Sequence, residues 1–140
     1  MKNSIEKKSE NLQNNQVKEL PFKLGDDFYR RLKFYIEAKE YTEPQLYSEA
    51  QISKKTFSLI RKNKNLTFAK VTALAITLEL DLKETIDLLR SAGIAFCPSN
   101  PSHLFVKHFI KKEMYDINKI DRILVIHGLP EMFSSSKLGF

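Results

Sequence analysis

Four residues, Thr42, Ser53, Thr67 and Asp81, most constrain what this chain can fold into. Each is a side chain that caps a helix by accepting a hydrogen bond from the free N–H groups of the first turn, and each precedes apolar residues at helical spacing. Pro44 supports the start at Thr42, and Asp81 with Glu84 spells a capping box. The caps divide the middle of the chain into short helices, which are unstable alone in water and have to bury their apolar faces on one another. No strand signal interrupts them. The brief apolar run 123–126 would be a lone strand with nothing to pair with.

Around these caps the periodicity predicts seven helices. The first opens at Asp26-Asp27 and runs to about Lys39, with Phe28, Leu32, Tyr35 and Ile36 on one stripe. The second is about two turns long, carries Leu46, Tyr47 and Ala50, and ends at Gln51-Ile52. The third, capped by Ser53, buries Phe57 and Ile60 and stops at Asn63-Lys64-Asn65, residues that tolerate left-handed geometry. The fourth, 68–80, turns Val71, Leu74, Ala75 and Leu78 inward and is small and apolar enough to be central. The fifth carries Leu82, Ile86, Leu89 and Ala92 up to Gly93. Pro98-Ser99-Asn100-Pro101 then breaks the chain. A sixth helix follows through Leu104, Phe105, Phe109 and Ile110, and a seventh through Ile117, Ile120, Ile123, Leu124 and Leu129. The expected fold is all-α. Residues 1–21 are a disordered arm, 22–96 a five-helix domain, 97–133 a helical C-terminal extension and 134–140 a loose tail.

Charge picks out one of these helices. From Ser53 to Lys70 there are six basic residues, Lys54, Lys55, Arg61, Lys62, Lys64 and Lys70, and no acid, so this segment matches the net +6 of the whole chain. The other parts cancel: residues 1–25 give +2, 26–52 give −2, 71–102 give −2 and 103–140 give +2. At about 100° per residue, Lys55, Ser58, Leu59 and Lys62 line the side of the third helix opposite Phe57 and Ile60. A local basic patch of this kind suits a polyanion such as nucleic acid, where a solvated face that binds nothing is the plain alternative. Anionic membrane fits less well.

Other classes have little to stand on. No apolar run is long enough to span a bilayer, and residues 1–16 lack the apolar core of a secretory signal, which predicts a cytoplasmic protein without a membrane partner. One cysteine, Cys97, and three histidines, His103, His108 and His127, offer no disulfide and no metal-ligand spacing. The histidines accompany no nucleophile or carboxylate constellation, there is no Gly-rich phosphate loop, and neither catalytic residues nor a cofactor is expected.

A short helix, a tight turn, a basic-faced helix and two more capped helices resemble the Xre (lambda repressor and Cro-like) helix-turn-helix family. The stretch Ile52-Ser53-Lys54-Lys55-Thr56-Phe57-Ser58-Leu59-Ile60 with Asn63-Lys64 is similar to that family's recognition helix. The resemblance implies double-stranded DNA as partner and a role in transcription regulation. By the resemblance Lys54, Lys55 and Leu59 would be at base-reading positions with Ser58 bordering them, and Asn63 and Lys64 where the backbone meets phosphate; the basic cluster itself adds Arg61, Lys62 and Lys70 as expected phosphate contacts. Tyr47 stands where the family has a small residue at the crossing of the two helices, and Gln51 where its turn has Gly.

The chain also resembles, over about 28–133, a divergent bacterial helix-turn-helix module often appended to macro or tellurite-resistance-type domains. The resemblance lies in Tyr47-Ser48-Glu49-Ala50-Gln51-Ile52, Lys55-Thr56-Phe57-Ser58-Leu59-Ile60-Arg61, Leu88-Leu89 with Ala92-Gly93, and Tyr115-Asp116-Ile117 with Gly128-Leu129-Pro130. It implies the fold more than the function. A non-enzymatic protein-interaction module that keeps the fold and uses the Tyr47 and Leu59 region is therefore the alternative to DNA binding. Residues 103–133 are too apolar for one inward stripe, which points either to a homodimer through them or to a pair of helices wrapped over the first and fifth.

Overall fold

Helix boundaries in this chain are set by side chains that replace missing backbone partners. A computed structural model describes residues 27–134 as seven helices without a strand: α1 Asp27–Ala38, α2 Glu43–Glu49, α3 Lys54–Arg61, α4 Phe68–Thr77, α5 Leu82–Ser91, α6 Pro101–Lys111 and α7 Ile117–Ile126. The arm expected over 1–21, the lead-in through Asp26 and the tail beyond Ser134 lie outside the described residues. Thr42, Ser53, Thr67 and Asp81 each accept from a backbone N–H of the first turn, and Glu84 completes the capping box at Asp81. Asn100 and Asp116 do the same for α6 and α7.

The opposite ends are equally uniform. After every described helix comes a left-handed residue, Glu40, Gln51, Asn63, Glu79, Gly93, Glu113 or Gly128. The residue after that returns its N–H to a carbonyl five positions back, as in Tyr41 to Ile36, Ile52 to Tyr47 and Leu80 to Ala75. This is the Schellman closure, which satisfies the last carbonyls and is commonly sealed by an apolar residue at its outer position. That residue is Tyr41, Ile52, Leu80, Ile94, Met114 or Leu129 in six cases and Lys64 at the end of α3.

Helix α4 is central: Val71, Thr72, Ala73, Leu74, Ala75 and Ile76 are all buried, and it packs against α2, α5 and α7. Its one buried hydroxyl, on Thr72, donates to the carbonyl of Phe68 at 2.6 Å, so the all-round burial leaves no polar atom orphaned there. Helix α1 lies on α5, and α3 lies on α2. One hydrophobic core runs through all seven helices and takes in Phe133 beyond α7.

Two expected stripes are shifted in part, Leu89 of α5 and Phe109 and Ile110 of α6 being buried as expected. In α5 the buried residues are Thr85, Leu88 and Leu89, because α1, α4 and α6 all pack around it, while Leu82 and Ile86 are left at the margin facing the α1 groove. In α6 Val106 points inward and Leu104 outward. Of the cover expected over α1 and α5, the part on α5 is present, through α6, and the other main neighbour of the α6–α7 hairpin is α4, through α7. Among the described residues no helix is long and apolar enough to cross a membrane.

Candidate nucleic-acid interface

Helix α3 begins where the Ser53 hydroxyl accepts from Thr56 N–H at 3.0 Å and donates to the Thr56 side chain at 2.9 Å. Thr56, Phe57 and Ile60 are buried, and the Phe57 ring meets Tyr47 of α2 at 5.2 Å between centroids. Lys54, Lys55, Arg61, Lys62 and Lys64 are exposed, whereas Ser58, Leu59, Asn63 and Lys70 are half-buried. By helical geometry Lys54, Ser58, Lys62 and Lys55 form the middle of the outward arc, with Arg61 and Leu59 at its two margins. Leu59 is thus less exposed than its opposition to Phe57 and Ile60 suggested. Where the other helix ends are sealed by an apolar residue, α3 presents Lys64 to solvent.

The turn before α3 is unusual for its sequence. Gln51 has φ 62°, the left-handed region in which a side chain costs about 1–2 kcal/mol relative to glycine. Its side-chain amide donates to the side-chain oxygen Oδ1 of Asn118 on α7 at 2.9 Å, which ties the turn to the C-terminal hairpin. Tyr47, half-buried, fills the crossing between α2 and α3 with its ring against Phe57.

The six cations are not equivalent. The ion pairs among the described residues are Arg31–Asp87, Lys39–Glu84 and Arg61–Glu43, and Lys54, Lys55, Lys62 and Lys64 take part in none of them. Arg61 Nε donates to Glu43 Oε1 at 2.9 Å while its guanidinium lies 5.1 Å from the centre of the Phe57 ring. The hydrogen bond to Glu43 raises the Arg61 pKa above its ordinary value. Glu43 accepts a second hydrogen bond, 2.6 Å, from the Tyr29 hydroxyl, whose own pKa is raised by burial and then by Glu43. Lys70 donates to the Asn65 carbonyl at 2.9 Å, and Asn63 Oδ1 accepts from Tyr29 N–H at 2.9 Å, joining the end of α3 to α1. Lys33 of α1, exposed, lies 5.6 Å above the Tyr29 ring.

Sequence reasoning missed Glu43, Tyr29 and Lys33. An acid in the first turn of α2 reads simply as a favourable partner for the helix dipole, and no spacing links it to Arg61. Elsewhere the polar side chains have local tasks. His103 stacks on Phe68 at 3.6 Å and accepts from Cys97 N–H, and the His127 ring nitrogen lies 2.9 Å from the Ile123 carbonyl. Among the described residues no group of His, Cys, Asp and Glu could hold a metal ion. A groove of about 740 Å3 between α1 and α5, walled by Arg31, Tyr35, Leu82, Ile86, Asp87 and Arg90, has no lining residue from α3. Neither a family model, nor a curated protein, nor a solved structure matches the chain.

Proposed function

We propose that this protein binds double-stranded DNA through the outward face of α3, as a non-enzymatic transcriptional regulator in the bacterial or phage cytoplasm. In this reading α1–α5 form an Xre-like helix-turn-helix bundle, α3 enters the major groove, and α6–α7 are its extension. Lys54 and Lys55 lie toward base edges, with Ser58 and Leu59 beside them, and Lys62 and Lys64 lie toward phosphates. One observation carries the reading: Lys54, Lys55 and Lys62 line the exposed face of a helix whose other face is locked into the core, Lys64 is exposed just past its end, and none of the four is in an ion pair among the described residues. Among the described residues six of the seven helix ends are sealed by apolar residues, and the exception is on this helix, which fits a surface kept open for a charged partner.

Duplex binding measured by fluorescence anisotropy against salt tests it. Each neutralised phosphate adds roughly 0.9 to the slope of log K on log salt, so Lys62→Ala should flatten the slope by about one unit. Absence of salt-dependent binding would refute the reading and favour the interaction module, for which half-buried Leu59, among the lysines, is the supporting feature. A homodimer is proposed through the hairpin. There Leu104, Val125 and Ile126 are exposed, and Phe105 packs 4.9 Å from the His127 ring, which brings them to one end of the α6–α7 pair.

A further inference from the structure

We infer that the Glu43 carboxylate occupies a backbone-phosphate position at the margin of the α3 face, and that Arg61 and Tyr29 are the ligands of that phosphate. This rests on the duplex-binding reading above. Two donors from different helices, Tyr29 O–H at 2.6 Å and Arg61 Nε at 2.9 Å, converge on the two separate oxygens of one carboxylate. A phosphodiester presents the same pair of charged acceptor oxygens, and a guanidinium is suited to hold either.

Both donors are fixed in advance. The Arg61 guanidinium lies over the ring of fully buried Phe57, and the Tyr29 backbone is tied to the end of α3 through Asn63. The site is also reachable, since the Arg61 and Glu43 side chains are 39% and 24% exposed. An exposed ion pair is a weak competitor for a phosphate that many other contacts hold in place.

The electrostatic consequence is specific. Exchanging the carboxylate for a phosphate on Arg61 leaves a bare carboxylate beside the polyanion, which has to recruit a counterion. In the native protein the Arg61 contact therefore adds almost nothing to salt dependence, and Glu43 limits affinity.

The test is a double-mutant cycle of duplex binding against salt, using the full chain as wild type, Glu43→Gln, Arg61→Ala and both together. Glu43→Gln should steepen the slope by about 0.9, equivalent to roughly eightfold tighter binding near 0.1 M salt relative to 1 M. That gain should vanish in the Arg61→Ala background. Glu43→Ala serves as the second variant, with the same expected sign, and thermal unfolding checks that each folds. Wild-type binding with an unchanged slope in Glu43→Gln, or an equal gain without Arg61, overturns this inference and leaves the α3 interface standing. Binding by neither wild type nor Glu43→Gln at low salt removes the interface and this inference with it.

Discussion

Asp121 should hold the segment 132–133 that follows α7 onto the bundle, and a cycle with Phe133 measures how much that is worth. Asp121 is on α7, only 5% exposed, and its two oxygens accept from Met132 N–H at 2.7 Å and from Phe133 N–H at 3.0 and 3.1 Å. Phe133 itself is fully buried in the core. Removing the carboxylate leaves a buried N–H unpaired and forfeits charge-assisted bonds, so Asp121→Ala should destabilise by about 2–4 kcal/mol. Phe133→Ala should cost about 3–5 kcal/mol through lost burial and the cavity left behind.

If the carboxylate acts by seating Phe133, the two losses overlap. The double mutant should then fall short of their sum by about 2 kcal/mol. Asp121→Asn keeps one acceptor oxygen and should lose only about 1 kcal/mol. Urea unfolding followed by helical circular dichroism gives all four stabilities. Losses that add within about 0.5 kcal/mol would refute the coupling, and an Asn variant as weak as Ala would refute the hydrogen-bond account.

Phe57→Ala should destabilise by about 3–5 kcal/mol and Leu59→Ala by about 1 kcal/mol, since the first is fully buried and the second only half; equal losses would mean that α3 faces another way. Burial lowers the His103 pKa below 6.5, and its Nδ1 must be unprotonated to accept from Cys97 N–H. Folding therefore favours the neutral ring, and its contribution is whole above pH 6.5 and lost as pH falls through the lower folded value. His103→Phe, which keeps a ring on Phe68, should flatten the stability profile below pH 6.5, and a profile as steep as the native one would rule this out. Light scattering on the full chain should report a dimer that Ile126→Glu, at a position 77% exposed, converts to monomer; a native monomer at tens of micromolar defeats the dimer reading.

Helix starts were legible because capping is local: a side chain and the N–H two or three residues on suffice, whatever the rest of the chain does. Thr42, Ser53, Thr67 and Asp81 needed no tertiary information. The stops were harder, since glycine marks only two of the seven ends among the described residues and Glu40, Gln51, Glu79 and Glu113 take the left-handed turn with side chains attached. Their signal was the apolar residue that follows, as Ile52 after Gln51 or Leu80 after Glu79, which repays the strain by sealing the core. Helix facing was the least readable. Leu82, Ile86 and Leu89 make as good a stripe as Thr85, Leu88 and Leu89 with a threonine admitted, and only the packing of α1, α4 and α6 around α5 chooses between them.

The basic face was readable for the same reason as the caps, and its strength was misjudged for the opposite one. Six cations without an acid between Ser53 and Lys70 is a count along the chain, whereas pairing happens across it. Glu43 reaches Arg61 from 18 residues away, and Lys70 turns back onto the Asn65 carbonyl. The exposed lysines of this face that take part in no ion pair among the described residues are therefore Lys54, Lys55, Lys62 and Lys64, while Lys70 is half-buried and held by an uncharged carbonyl. If all six bound phosphates, the salt slope of duplex binding would approach 5.4, and with Lys54, Lys55, Lys62 and Lys64 alone it should be about 3.6. A slope near 5 in the wild type would mean that Glu43 releases Arg61 without an electrostatic penalty and that Lys70, whose Asn65 partner is an uncharged carbonyl, also reaches a phosphate, so that the count along the chain had been the better guide.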